Sequence, residues 1–242
     1  MSRSLQNSIK SQSVQNIFDQ ISPTYDRLNH LMSLNFDKSW RKKTIGLIKK
    51  TSETPFTAID LCAGTFDLSL ECLKQFPQSK IMAVDFSQEM LNAGQPKIAE
   101  ALIDEKIKPI CADCLSLPFA ANSIDVIFCG FGFRNFVSVK KGIMEAKRVL
   151  KPGGQLIVLE FFKPKSGLNQ FFHTTYAKHV IPIMGKMVSG HDIAYDYLKD
   201  SIKDFLSARE FKSILQSYDF HHTEIKDFFM SISTAISTFK RN

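Results

Sequence analysis

The chain has 242 residues, of which 44% are hydrophobic and 23% are charged. This mixture is typical of globular proteins and excludes a disordered chain, a collagen-like repeat and a small disulfide-rich scaffold. Lys and Arg number 31 against 24 Asp and Glu, so the net charge is +7. That charge is compatible with nucleic acid, an anionic membrane surface or an anionic small ligand. The 21 phenylalanines indicate large apolar contacts and are compatible with an apolar ligand.

The five cysteines are an odd number, and the start of the chain is polar and lacks the apolar segment of a signal peptide. These features predict a reducing, cytoplasmic setting with free thiols. Cys111 and Cys114 have the spacing of a zinc knuckle, but a structural zinc site needs a second pair at similar spacing, which the sequence lacks. We therefore expect two ordinary thiols here and no metal site.

Residues 1–50 are predicted to form a tail and a helical cap. The polar stretch 1–12 predicts a loose tail, and apolar positions at helical spacing then predict helices that begin near Val14 and at Ser22-Pro23. A third amphipathic helix is predicted over 37–50, with Trp40 on its apolar side. Its other side carries a cluster of bases, namely Lys38, Arg41, Lys42, Lys43, Lys49 and Lys50.

Residues 51–242 are predicted to form an α/β domain that makes a single structural unit with the cap. Strands are expected at 57–61, 80–85, 108–113, 124–129 and 155–161, with a closing pair at 223–229 and 231–239. Helices are expected at 67–76, after Ser87, at 139–150 and at 209–218, and the segment 163–205 is expected to be helical or irregular. Strands that alternate with helices predict a parallel sheet with helices on both faces.

Acidic residues end three consecutive predicted strands, at Asp60, Asp85 and Asp113. The carboxyl ends of parallel strands form one edge of the sheet, where ligands bind. An acid after the second strand suits a ribose, because a carboxylate can accept hydrogen bonds from two vicinal hydroxyls. We therefore favour a nucleoside-like ligand over the alternative, in which each acid only caps the helix that follows it.

The loop after the first strand contains a single glycine, Gly64. A dinucleotide site needs several glycines there so that the backbone can approach a pyrophosphate, which argues against NAD. S-adenosylmethionine fits a nucleoside site without phosphates. Its ribose would meet Asp85, its adenine would meet Asp113 and Cys114, and its methionine part would meet the turn of Gly64 and Thr65.

Several linked motifs resemble a known family. Val149-Leu-Lys-Pro-Gly-Gly-Gln-Leu-Ile-Val-Leu-Glu160 is similar to a turn and strand of class I S-adenosylmethionine-dependent methyltransferases. Phe18-Asp-Gln-Ile-Ser-Pro-Thr-Tyr-Asp-Arg-Leu-Asn29 and Gly130-Phe-Gly-Phe-Arg-Asn135 resemble two signatures of the ubiquinone/menaquinone-biosynthesis C-methyltransferases. The resemblance covers about residues 14 to 220. It implies a Rossmann-like fold with a mostly parallel seven-stranded sheet, in which 51–242 is the methyltransferase domain.

The resemblance implies C-methylation of a polyprenylated quinol precursor in respiratory quinone biosynthesis, with S-adenosylmethionine as cofactor. Asp60 and Gly130 would then belong to the cofactor site. Arg134 would stabilise an oxyanion on the ring, although a salt bridge that closes a loop is the alternative role. Asn135 would orient a water or the quinol oxygen, and Tyr25 would line the ring pocket unless it only packs in the core.

The family usually has glycine where this chain has Phe66. A phenylalanine is costly if that position needs a positive φ or a close approach to the cofactor. This departure motivates one alternative, a non-catalytic subunit that kept the fold. The candidates for the general base are His173, His179 and His191, and their spacing does not favour one of them.

Two further alternatives stay open. An RNA methyltransferase, or one that acts on another small molecule, would keep the cofactor and change the substrate. An NAD(P)-dependent oxidoreductase is suggested by Tyr195 and Lys199, whose spacing mimics a catalytic Tyr/Lys pair. For the main hypothesis we expect no nucleic acid partner and transient contact of a peripheral enzyme with the inner membrane surface. A homodimer is left open.

Overall fold

The computed structural model describes residues 3–163, 192–229 and 231–242. Its strands are β1 (Thr57–Leu61), β2 (Lys80–Asp85), β3 (Ile107–Cys111), β4 (Ile124–Gly130), β5 (Leu150–Glu160), β6 (Phe220–Phe228) and β7 (Ser233–Lys240). They form a seven-stranded sheet in the order β3-β2-β1-β4-β5-β7-β6. The strands β1 to β5 pair in parallel, whereas β7 is antiparallel to both β5 and β6. The predicted mostly parallel sheet and its closing pair are confirmed.

The helices of the described ranges are α1 (Arg3–Ile21), α2 (Tyr25–Met32), α3 (Phe36–Ile45), α4 (Asp67–Gln75), α5 (Gln88–Glu100), α6 (Val139–Val149), α7 (Asp192–Asp204) and α8 (Ala208–Ser217). Short 3₁₀ turns occupy Ser22–Thr24 and Phe133–Asn135. Ser87 caps α5 as predicted, because its hydroxyl oxygen accepts a hydrogen bond from the Met90 amide at 3.1 Å.

The cap differs from its prediction at two places. First, α1 begins at Arg3, so nearly all of the stretch predicted as a loose tail is helical. Second, α3 ends at Ile45, and Leu47 and Ile48 continue in tighter turns whose amides bond to carbonyls three residues earlier. Both side chains are buried in the core, which is why their apolar pattern prolonged the predicted helix. Arg41 is also buried, so it is not part of the exposed basic face.

Both faces of the sheet are covered, as the alternation of strands and helices predicted. Along β1 the side chains point to opposite faces in turn, so Ala58 joins the cluster under α3, α4 and α5, and Ile59 joins the cluster under α6 and α8. Within the described ranges, no helix has the length and apolar character that spanning a membrane requires.

Polar contacts fasten the cap to the loops at the carboxyl edge of the sheet. The Gln15 side chain donates to the Phe86 carbonyl at 3.2 Å, and the Ser87 hydroxyl donates to Asp19. Further along the cap, Lys97 of α5 pairs with Asp26 of α2 at 2.5 Å. The cap therefore lies beside the point where the sheet order reverses between β1 and β4, which is the usual ligand site of such sheets.

Candidate active site

A cavity of about 570 Å³ opens at this edge of the sheet, between the strand ends and the cap. Among the residues predicted for the site, seven line it, namely Tyr25, Gly64, Asp85, Asp113, Cys114, Gly130 and Asn135. They come from the cap and from the loops after β1, β2, β3 and β4. The cavity also takes Val14 and Phe18 from α1, so its cap side is apolar. The fold brings together residues that are far apart in the sequence.

Asp85 ends β2 and lies in the cavity wall with little exposure. Its Oδ2 accepts a hydrogen bond from the Gly64 amide at 2.9 Å, and its Oδ1 accepts one from the Ser87 amide at 3.0 Å. Burial raises the pKa of Asp85 to about 6, against the opposing effect of these amides. Each carboxylate oxygen has a further lone pair, so Asp85 can also accept the two hydroxyls of a ribose.

The loop after β1 passes close to its neighbours at Gly64. This residue has a φ of +53°, and a Cβ added there would lie 3.1 Å from Met90 Cε and 3.8 Å from Tyr25 Cε1. A side chain is therefore disfavoured by both conformation and space. The backbone of this loop stays open to a ligand, and Tyr25 of the cap lies over it.

Phe66 adopts a left-handed conformation, with a φ of +69°, at the position where the family that the sequence resembles usually has glycine. Its side chain is fully buried and packs in the core under α5 instead of entering the cavity. A Cβ added at Gly94 of α5 would lie only 2.5 Å from the Phe66 ring. The left-handed conformation of Phe66 costs about 1 to 2 kcal/mol. The Phe66 ring fits in the core because Gly94 has no side chain. The substitution leaves the cavity unobstructed, which removes the reason for the non-catalytic alternative.

We expect Gly94→Ala to destabilise the fold by about 1 to 3 kcal/mol, because the added methyl group overlaps the Phe66 ring. Urea unfolding measures the change. In a Phe66→Gly background the ring is absent, so the same Gly94→Ala change should cost clearly less, with the Thr65 carbonyl carbon left 3.0 Å from the added Cβ. An equal loss of stability in both backgrounds would contradict the proposed packing of Phe66 against Gly94.

Asp60 and Thr65 do not line the cavity, in contrast to their predicted contact with the cofactor. Asp60 points to the face of the sheet that α4 covers, where its Oδ2 accepts hydrogen bonds from the Ser69 amide at 3.0 Å and hydroxyl at 2.7 Å. Burial raises its pKa to about 7. The Thr65 hydroxyl donates to Asp26 at 2.5 Å. These two residues fix the loop after β1 at its ends, Asp60 through α4 and Thr65 through the cap.

Arg134 is also outside the cavity wall, in an ion pair with Glu160 at the end of β5. Its Nη1 donates to Glu160 Oε1 and to the Phe131 carbonyl, both at 2.6 Å. The two side chains are 8% and 0% exposed. Burial raises the pKa of Glu160, and the charge of Arg134 opposes that shift. The structure supports the alternative role of Arg134, a salt bridge that closes the loop after β4.

Sequence reasoning missed two partners of this loop, Glu160 and Tyr197. The Tyr197 hydroxyl of α7 donates to Asn135 Oδ1 at 2.8 Å. Burial raises the pKa of both Tyr197 and Tyr25, and the charge of Arg134 opposes the shift in each case. Both tyrosines therefore lie near Arg134: Tyr25 lines the cavity, and Tyr197 contacts the loop that carries Asn135. The histidines proposed as bases, at 173, 179 and 191, lie outside the described residues.

The thiols of the site are free. Cys62 and Cys114 lie with their Sγ atoms 3.6 Å apart, and Cys111 is exposed. Hydrogen bonds between the Cys62 thiol and both Cys114 and Cys129, together with burial, raise the pKa of Cys62. Among the described residues, one group of potential metal ligands meets, formed by His30, Asp37 and Asp67. The Arg41 guanidinium forms ion pairs with both Asp37 and Asp67. It therefore supplies the positive charge that a metal ion would otherwise bring to this group.

The chemistry of the cavity fits S-adenosylmethionine. It offers a carboxylate at the end of β2, a tight glycine loop after β1, and Asp113 beside Cys114 after β3, at the place where a doubly wound sheet binds ligands. Helices on both faces and the strand order β3-β2-β1-β4-β5-β7-β6 define the fold of S-adenosylmethionine-dependent methyltransferases.

The chain belongs to the ubiE/COQ5 methyltransferase family, which it matches over residues 6–240. It is thus an S-adenosylmethionine-dependent methyltransferase, and the oxidoreductase alternative has no support. It is 37% identical over 232 residues to a demethylmenaquinone methyltransferase of Bacteroides fragilis, covering 96% of this chain and 94% of that protein.

Two further similarities agree with this assignment. The chain is 36% identical to the ubiquinone/menaquinone biosynthesis C-methyltransferase UbiE of Geotalea daltonii, covering 93% of this chain and 95% of that protein. The crystal structure of a SAM-dependent methyltransferase from Aquifex aeolicus superposes with a TM-score of 0.59 at 18% identity, covering 87% of this chain and 92% of that one. The latter similarity supports the fold alone.

Proposed function

We propose that this enzyme transfers a methyl group to a ring carbon of a polyprenylated quinol precursor. The observation that carries the proposal is the two-sided cavity. Its inner wall has the polar groups that suit the cofactor, and its outer wall has apolar side chains of the cap, including Val14 and Phe18. An aromatic ring with an apolar tail suits the second side. The names of the relatives from Bacteroides fragilis and Geotalea daltonii agree with such a substrate.

The cofactor would be held by residues that line the cavity. Asp85 would accept the ribose hydroxyls, and Asp113 with Cys114 would meet the adenine. Gly64 and Gly130 would leave room for the methionine part and the reacting sulfonium. When bound, S-adenosylmethionine supplies an activated methyl group, so the protein must orient the ring and make its carbon nucleophilic.

The ring carbon becomes nucleophilic when a ring hydroxyl loses its proton, because the negative charge delocalises to the ortho carbon. Asn135 can donate its second amide hydrogen to that oxygen, since its Oδ1 accepts from Tyr197 at 2.8 Å and its Nδ2 donates to the Phe131 carbonyl at 3.4 Å. Tyr25 would pack against the ring at the loop of Gly64. Arg134 would act through its position, since it fixes the loop that carries Asn135 and adds a positive charge near the oxygen.

We expect Tyr197→Phe to lower kcat by about tenfold, because Asn135 loses the hydrogen bond that orients its amide. The dissociation constant for S-adenosylmethionine should change by less than about twofold, since Tyr197 does not line the cavity. Steady-state kinetics and calorimetry separate the two quantities. A change in cofactor affinity equal to the change in kcat would mean that Tyr197 only supports the fold.

The substrate class is tested by supplying methyl-labelled S-adenosylmethionine with three acceptors in parallel. These are a demethylated naphthoquinol, a demethylated benzoquinol and a structured RNA. We expect label in one or both quinols and none in RNA. Label in RNA alone would replace the proposal with the RNA methyltransferase alternative.

A polyprenyl tail resides in the bilayer, so the enzyme must reach the inner membrane surface while its substrate stays anchored there. We propose that the exposed lysines of α3 contribute to this contact, because each Lys or Arg near an anionic surface gains about 1 kcal/mol. Lys38, Lys42 and Lys43 are exposed on α3, and Lys49 and Lys50 follow it. The same charge would then have no role in binding nucleic acid.

A further inference from the structure

Three large apolar side chains are exposed together at one end of the cap. Leu34 lies in the turn between α2 and α3 and is 59% exposed, Phe36 begins α3 and is 40% exposed, and Phe229 just after β6 is 52% exposed. The rings of Phe36 and Phe229 stack with their centroids 4.7 Å apart. We call these three residues the apolar tip. Its parts come from distant segments that the fold brings together.

The apolar tip is bordered by positive charge. Lys38, Lys42 and Lys43 of α3 are exposed, and the Lys43 ammonium lies 6.0 Å from the centre of the Phe228 ring. The acid of this helix, Asp37, is 2% exposed and is bound by Arg41, so it does not offset the lysines. The exposed face of α3 next to the apolar tip is therefore basic.

A series of aromatic rings connects the apolar tip to the cavity. Phe36 stacks on Trp40 with centroids 6.4 Å apart, and Trp40 meets Phe161 edge-on at 6.1 Å. Phe161 then stacks on Phe131 at 4.5 Å, and Phe131 lines the cavity. These ring contacts thus run from the exposed end of the cap, through the core at the buried Trp40, to the wall of the candidate active site.

We infer that the apolar tip inserts into an anionic lipid bilayer and so places the enzyme at the surface where the polyprenyl chain of its substrate resides. The inference rests on the proposed function and specifies how its substrate is reached. Exposed Leu and Phe beside a basic face is the pattern of a peripheral membrane contact, in which apolar insertion adds to attraction by anionic headgroups. Three side chains bury too little area for a stable protein interface.

Vesicle co-sedimentation tests the insertion with a matched control. The test variant is Leu34→Ser/Phe229→Ser, and the control is Leu102→Ser/Met144→Ser, which removes side chains that are 88% and 52% exposed elsewhere. The match is close because Leu34 and Leu102 both have positive φ, at 51° and 54°. On vesicles of phosphatidylglycerol and phosphatidylcholine we expect the test variant to bind at least about tenfold more weakly and the control to bind like the wild type.

The charge contribution is tested by Lys38→Glu/Lys42→Glu/Lys43→Glu against Lys74→Glu/Lys80→Glu/Lys108→Glu, which reverses three lysines outside α3. We expect the α3 variant to lose at least about 100-fold in affinity for the anionic vesicles, and the control to lose much less. Wild-type binding to pure phosphatidylcholine should be weak. If each test variant loses no more vesicle affinity than its own control, the inference is overturned.

Methylation of two substrates separates the inference from the proposed function. With a short-chain quinol in solution, all variants should keep the wild-type kcat/KM, which also shows that they are folded. With a long-chain quinol embedded in vesicles, the apolar tip variant should lose activity in parallel with binding. If the wild type fails on the soluble quinol, the proposed function is wrong. If it succeeds and the tip variant keeps full activity on vesicles, only the membrane inference is wrong.

Discussion

Arg134→Ala is expected to lower the free energy of unfolding by about 3 to 5 kcal/mol, because it leaves Glu160 buried without its cation. Methyl transfer should fall strongly as well, since the loop that carries Asn135 loses its bond to β5. The affinity for S-adenosylmethionine should change little, because Arg134 is not in the cavity wall. Urea unfolding, calorimetry and a methyl-transfer assay measure the three quantities.

The pH dependence of unfolding and a double variant identify the cause of the stability loss in Arg134→Ala. Burial raises the pKa of Glu160, and without Arg134 it should rise further. The destabilisation should therefore be smallest at low pH, where Glu160 is protonated, and should grow as the pH rises through the raised pKa. Arg134→Met/Glu160→Gln removes both charges and should be more stable than Arg134→Met alone. A double variant that loses the sum of the two single losses would contradict a direct pair.

Asp85→Asn is expected to weaken the binding of S-adenosylmethionine by about 10- to 100-fold, because a hydrogen bond to a charged group contributes about 1.5 to 3 kcal/mol. The amide keeps one acceptor oxygen for the Gly64 or Ser87 amide but loses the charge. Calorimetry measures the affinity directly. Asp104→Asn, at an exposed position in the turn after α5, serves as the control and should bind like the wild type.

The protonation of Asp85 gives an independent test of the same contact. Its pKa is raised to about 6, so the carboxylate that accepts the ribose hydroxyls is lost as the pH falls through that value. The affinity of the wild type should therefore decrease below about pH 6, whereas Asp85→Asn should show no such change in that range. A pH profile shared by both proteins would assign the effect to another group.

Most of the sheet was predictable because its buried strands are short apolar runs that end in acids or turns. The start of α1 was not, since the polar segment before Val14 has no apolar periodicity that would mark a helix. The end of α3 was predicted too late because Leu47 and Ile48 prolong the apolar pattern beyond Gly46. At the end of α3 the two side chains are buried by tertiary packing, which the local pattern does not contain.

The cavity residues at strand ends were predictable for the same topological reason, as Asp85, Asp113 and Gly130 show. Partners that depend on packing were not. Glu160 pairs with Arg134 from a neighbouring strand, and Tyr197 reaches Asn135 across 62 positions of sequence. The accommodation of Phe66 by Gly94 has no local signal, because it depends on how α5 lies against the loop.

The central claim is that this cavity binds S-adenosylmethionine and directs its methyl group to a quinol carbon. The most direct test incubates the enzyme with S-adenosylmethionine carrying a ¹³C methyl group and a short-chain demethylated naphthoquinol, and then locates the label by NMR. We predict one labelled methyl on a ring carbon, formed by the wild type and strongly reduced in Asp85→Asn at low cofactor concentration. A label on the ring oxygen, or bound cofactor without any transfer to the quinol, would contradict the claim.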